Sequence, residues 1–157
     1  MNCPAGSVFL PDASIGNNEG IAIFWVGRNT SSTYSPAWAS QFKADIAAMI
    51  ANLKSPLQRF IVLSILNSNI ATEYAGGPDY ASIIQLNNDL SALYPGNYVD
   101  VRSALVAAYN PSIAQDVIDH AGDVPPSSLR ADYVHLVFAG YIIVATKIRD
   151  FIVAKAW

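Results

Sequence analysis

The chain has 157 residues, enough for one domain with a sizeable core, and a formal net charge of −3. Only 13% of residues are charged, against a usual share of about 25%, while 52% are apolar. Lysines and arginines scattered over so acidic a chain exclude a nucleic-acid surface. No apolar run reaches membrane-spanning length, so no membrane role is expected. The shortage of charge implies that part of the surface is covered by something else, either sister subunits in a homo-oligomer or the remainder of the same polypeptide. No basic segment followed by an apolar core opens the chain, so no signal peptide is expected. Cys3 is the single cysteine, which excludes an internal disulfide and a multi-cysteine zinc site.

Residues 1–20 are rich in Gly, Pro, Asn and Ser and read as a lead-in segment. The continuous apolar run Ile21–Val26 has strand length and no alternation, the pattern of a strand buried on both faces of a parallel sheet. It stops at Gly27-Arg28-Asn29-Thr30. Ser35-Pro36 supplies an N-cap and a first-turn proline. Trp38, Phe42, Ile46, Met49, Ile50 and Leu53 then give the apolar face of a helix. Phe60–Leu66 predicts a second buried strand, with Asn67-Ser68-Asn69 as its polar exit. A helix follows with Tyr80, Ile83, Ile84, Leu86, Leu90 and Leu93 facing inward, closed by Pro95-Gly96. Asn97–Val101 predicts a short third strand. The stretch 102–131 is mixed, with a helix around 112–119, and a last helix runs from about 136 to 155.

Strands separated by helical crossovers of this length pair in parallel, which predicts an α/β layered fold. Ligands of such sheets bind at the carboxyl ends of the strands. That brings Gly27–Thr30, Asn67–Asn69, Asp100 and the segment Asp132–His135 to one rim.

Two stretches on that rim carry chemistry. In Asp132-Tyr133-Val134-His135 the acid can accept a hydrogen bond from Nδ1–H of the histidine, leaving Nε2 as a general base. A loop histidine bonded to a nearby acid for packing alone would have the same spacing. In Gly27-Arg28-Asn29 an asparagine beyond a strand end can aim its amide at a developing oxyanion, or can close a turn on its own backbone. Arg28 suits either an anionic sugar or a salt bridge. His120, next to Asp119, is a rival base, but adjacent helix positions rarely let side chains meet, and it reads as a surface residue. Trp25 and Trp38 read as core. His120 and His135 lack further ligands at a suitable spacing, so no metal is expected. Without a Gly-rich phosphate loop, no nucleotide or other cofactor is expected either.

Taken together, Gly27-Arg28-Asn29 after a buried strand and Asp132-Tyr133-Val134-His135 before the last helix resemble two blocks of the SGNH (GDSL-type) hydrolases. Phe24–Asn29 and Pro125–Arg130 are similar to SGNH domains of phage tail fibres and tailspikes. The resemblance spans residues 20–157. It implies a three-layer α/β/α sandwich on a parallel sheet, flavodoxin-like in layout, and a virion-tail or extracellular setting. It further implies an esterase or deacylase activity, often on acylated carbohydrate, and, from the tail proteins, a trimer. His135 would be the base, Asp132 its orienter and Asn29 an oxyanion donor, with Gly27, Arg28 and Asn67 on the substrate rim.

The family's Gly-Asp-Ser nucleophile block has no counterpart here. Ser7 and Ser14 are the only serines before the Ile21 strand, and six residues after Ser14 are too few for a parallel crossover. Residues 21–157 therefore read as a partial SGNH-like domain lacking its first strands, with the serine supplied from outside the chain. The alternative is a non-catalytic binding or oligomerisation module of a tail protein.

Overall fold

The computed structural model of the chain describes residues 20–28, 34–53 and 58–157. Three short strands, β1 (Ala22–Phe24), β2 (Phe60–Leu63) and β3 (Tyr98–Val99), form a parallel sheet in the order β1-β2-β3. Ala22, Ile23 and Phe24 pair with Phe60, Ile61 and Val62, and Val62 and Leu63 pair with Tyr98 and Val99.

Among the described residues five α-helices accompany them: α1 (Pro36–Ala51), α2 (Tyr80–Leu93), α3 (Val101–Ala107), α4 (Ala114–Ala121) and α5 (Phe138–Ala154). As expected from Ser35-Pro36, the Ser35 hydroxyl caps α1 by accepting from the Trp38 amide at 3.2 Å. Alternation along β2 sends its side chains to two cores. Val62 packs with Phe42 and Ile46 of α1 and with Leu86 and Leu90 of α2. Ile61 and Leu63 pack with Val101 and Leu105 of α3 and Val144 of α5. Helices therefore cover both faces of the sheet.

The ladder is shorter than the apolar runs, for an identifiable reason. Beyond Leu63 the chain remains buried, and once the Ser64 amide has donated to the Val99 carbonyl at 3.1 Å its next partner is a side chain. The Ile65 amide donates to Asn87 Oδ1 at 2.8 Å, and Asn87 Nδ2 donates to the Ile65 carbonyl at 2.9 Å. On the neighbouring strand, Asp100 ends β3 by capping α3, its carboxylate accepting from the Ser103 amide at 2.9 Å. Val101, expected at the end of the third strand, instead opens α3, a helix the sequence pattern does not predict. Leu93, expected inward, is exposed at the end of α2.

The outer side of β1 lies at the edge of the three-strand sheet, and Ile23 there is 46% exposed. Phe138, in the first turn of α5, is 81% exposed. Among the described residues no helix is long and apolar enough to cross a membrane.

Candidate active site

The segment between β-bridge partners Arg130 and Leu136 is a closed loop. The Ala131 amide donates to the His135 carbonyl at 2.7 Å, and the Val137 amide to the Leu129 carbonyl at 2.9 Å. Gly140 lets α5 come this close, since a Cβ there would lie 2.7 Å from the Leu129 carbonyl oxygen.

Inside the loop Asp132 organises everything. Its Oδ1 accepts from the Val134 amide at 2.8 Å and the His135 amide at 2.7 Å. Its Oδ2 faces His135 Nδ1 at 2.7 Å. Two of these contacts form a turn closed by an aspartate on its own backbone. The third fixes an imidazole. The amide and ring of His135, then the Val134 amide, hold the Asp132 carboxyl well below the usual carboxylate range. An ionised carboxylate accepts only, so Nδ1 donates to it, and in the neutral form of the ring Nε2 is the nitrogen with the lone pair. Both side chains are well exposed, His135 at 67%.

A pH dependence follows. A carboxyl with a depressed folded-state pKa supplies order that is present above its unfolded value and lost as pH falls through the folded value. The Val134 and His135 amide resonances should therefore hold their positions well below pH 4, where an ordinary aspartate is already protonating, and move only at more acidic pH. A transition centred near pH 4 in those two resonances would contradict the geometry.

His135 borders a cavity of about 150 Å³, walled by Trp25, Val26, Ile65, Leu66, Leu136 and Tyr141. Arg28 also lines it, with both Nη atoms bonded to partners inside the fold. It donates to both carboxylate oxygens of Glu73, at 2.9 and 3.0 Å, to the Tyr34 hydroxyl and to Ser68 Oγ. Glu73 is buried and also accepts from the Ser68 amide at 2.5 Å. Burial, partly offset by Arg28, pushes the Tyr34 hydroxyl up to about 12, so it stays neutral. The salt bridge with Glu73 is thus formed, and Arg28 still lines the cavity. Glu73, the partner, carried no sequence signal, because it lies 45 positions away on a short 3₁₀ turn, Ala71–Glu73.

The other rim residues separate. Gly27 stands at φ +102°, and a Cβ there would lie 2.6 Å from the Phe42 ring, so a glycine is required both for conformation and for space. Asn67 is turned inward and buried. Its amide nitrogen donates to the Glu73 and Asp123 carbonyls, both at 2.9 Å, and its oxygen accepts from Arg102 Nε at 2.9 Å. Asn67 thus braces the strand exit from within. Asn29, with Ser7, Ser14 and Cys3, lies outside the described residues.

His120, in the last turn of α4, stacks on Tyr109 with ring centroids 3.9 Å apart and sets Nδ1 3.1 Å from the Val106 carbonyl. It belongs to a different surface contact. Trp38 stacks on Phe42, and Trp25 packs against the sheet core while meeting Tyr141 edge-on at the cavity.

Sequence reasoning also missed two fully buried acids, Asp116 and Asp119, on α4. Asp116 accepts from the Ser128 amide at 2.9 Å and the Ser128 hydroxyl at 2.5 Å. Asp119 accepts from the Ser127 amide at 2.7 Å and from Arg130 at 2.9 Å. The available signal was their spacing of three, which puts both on one helix face toward Ser127-Ser128.

No protein-family model matches the chain. It is similar to the tail spike protein of Salmonella phage epsilon15, with 31% identity over 154 aligned residues. That similarity covers 90% of this chain and 14% of the tail spike protein, so the chain spans a small part of the length of the relative it matches.

Proposed function

We propose that this chain is a module of a phage tail protein that carries the base half of a serine ester hydrolase. His135 acts as general base, Asp132 fixes its tautomer, and the serine nucleophile comes from outside the chain. The observation that carries this is the 2.7 Å contact between Asp132 Oδ2 and His135 Nδ1, beside an apolar cavity that suits an acyl group. The SGNH-like block pattern supports the same chemistry, with a three-layer sandwich as its frame and Asn29 as oxyanion donor. The similarity to a tail spike protein supports a virion-tail setting, and an acylated carbohydrate as substrate is what the SGNH-like resemblance implies.

Two assays test it. The isolated chain should hydrolyse small acyl esters barely above background, because an oriented base without a nucleophile offers only weak assistance to water. In its native assembly, ester hydrolysis should appear and be abolished by a serine-directed inhibitor. Serine-dependent turnover by the isolated chain at ordinary enzyme rates would contradict an external nucleophile.

The alternative is a non-catalytic oligomerisation module; among the described residues no serine lines the cavity beside His135, as both readings expect. Both readings share an expectation about association. The exposed Ile23 at the sheet edge and Phe138 on α5 are large apolar groups on a chain short of charge. Light scattering should give a mass above the 16.9 kDa of one chain, with a trimer as the expected species. A monodisperse single-chain mass at micromolar concentration would refute association.

A further inference from the structure

We infer that Arg130 is a positioning residue for the Asp132–His135 pair, transmitting the fixed location of the buried Asp119 to the exposed loop. As a statement about His135 in catalysis, this rests on the proposed function; as a statement about loop order, it does not. The planar guanidinium makes contacts in three directions. Nη2 donates to Asp119 Oδ2 at 2.9 Å, Nε to the Pro125 carbonyl at 2.6 Å, and Nη1 to the Asp132 carbonyl at 3.0 Å. Asp119 is itself anchored by the Ser127 amide and hydroxyl, at 2.7 and 2.8 Å, and by Gln115 Nε2 at 2.9 Å. Arg130 is 5% exposed and Asp119 fully buried, whereas Asp132 and His135 face solvent. A rigid interior point is thus connected by one side chain to the backbone of the residue that orients the imidazole. A second tether, the Asn69 amide on the Tyr133 carbonyl at 3.0 Å, ties the same loop to the exit of β2.

The chemistry favours arginine specifically. Lysine keeps the charge next to Asp119 but has no rigid fork, so it cannot hold three acceptors in one plane. The test is amide hydrogen exchange and histidine ¹⁵N NMR on the folded chain. In Arg130→Lys, the Val134 and His135 amides, which donate to Asp132, should exchange about tenfold faster, as expected for losing one or two hydrogen bonds. The Nδ1–H signal of His135 should weaken with them. Ser128→Ala, which removes a donor to the neighbouring Asp116, serves as control. It should lower the denaturation midpoint yet leave those two amides unchanged. Wild-type protection in Arg130→Lys, or equal loosening in Ser128→Ala, would overturn the proposal.

If Arg130→Lys does not fold, the wild-type protein still decides. Arg130 Nε–H and the Val134 and His135 amides should open with one common free energy, and clearly different opening energies would overturn the coupling. Failure of the esterase proposal looks different: the loop loosens as described, but the native assembly shows no hydrolysis.

Discussion

Asp119→Ala should cost about 3–5 kcal/mol of folding stability, the usual effect of removing one partner from a buried ion pair. The carboxylate is fully buried, and its loss leaves the Arg130 guanidinium at 5% exposure without its counter-charge. It also strands the Ser127 amide, which donates to Asp119 at 2.7 Å. Neither group can turn to water without opening the Pro125–Arg130 segment. Urea denaturation measures the effect as a lower midpoint at unchanged slope. Asp150→Ala is the comparison, since the Arg149–Asp150 pair is exposed at 67% and 58% and should cost less than about 1 kcal/mol. Equal, small effects in the two variants would mean that the interior acid cluster does not hold this end of the fold.

The parts of this fold that could be read from the sequence are those specified by local pattern. Ser35-Pro36 announced α1 because capping and first-turn geometry depend on neighbouring residues alone. The run at Phe60 announced a parallel strand because burial on both faces removes alternation; the run at Ile21 has the same pattern and also forms a parallel strand, but at the sheet edge, with Ile23 exposed and not buried on both faces as expected. Helix α3 was hidden because Asp100 and Val101 suit a strand end as well as a cap followed by a helix. The choice was made by the Asp100–Ser103 contact at 2.9 Å, which competes with extending β3.

The site divides the same way. Asp132 and His135 are three apart, so their contact was legible from spacing. The engagement of Arg28 by Glu73 and the inward turn of Asn67 depend on partners tens of positions distant. No local rule reports whether a polar residue at a strand exit faces a ligand or the interior. Among the described rim residues, Arg28 is paired with Glu73 and Asn67 is turned inward, while the aspartate and the imidazole face solvent.

The second large effect concerns that imidazole. In the native assembly, His135→Ala should reduce kcat for ester hydrolysis by about 10²–10⁴-fold, the range for a positioned general base. Asp132→Asn should also reduce it, because a neutral amide can donate to Nδ1 and favour the wrong tautomer. His120→Ala should leave it unchanged, since that ring is occupied with Tyr109 and the Val106 carbonyl. The most direct measurement is therefore the rate of ester hydrolysis by assemblies carrying wild-type, His135→Ala and His120→Ala chains. A drop of at least about a hundredfold confined to His135→Ala is the expected result. Hydrolysis that persists at the wild-type rate in His135→Ala would contradict the assignment of His135 as base.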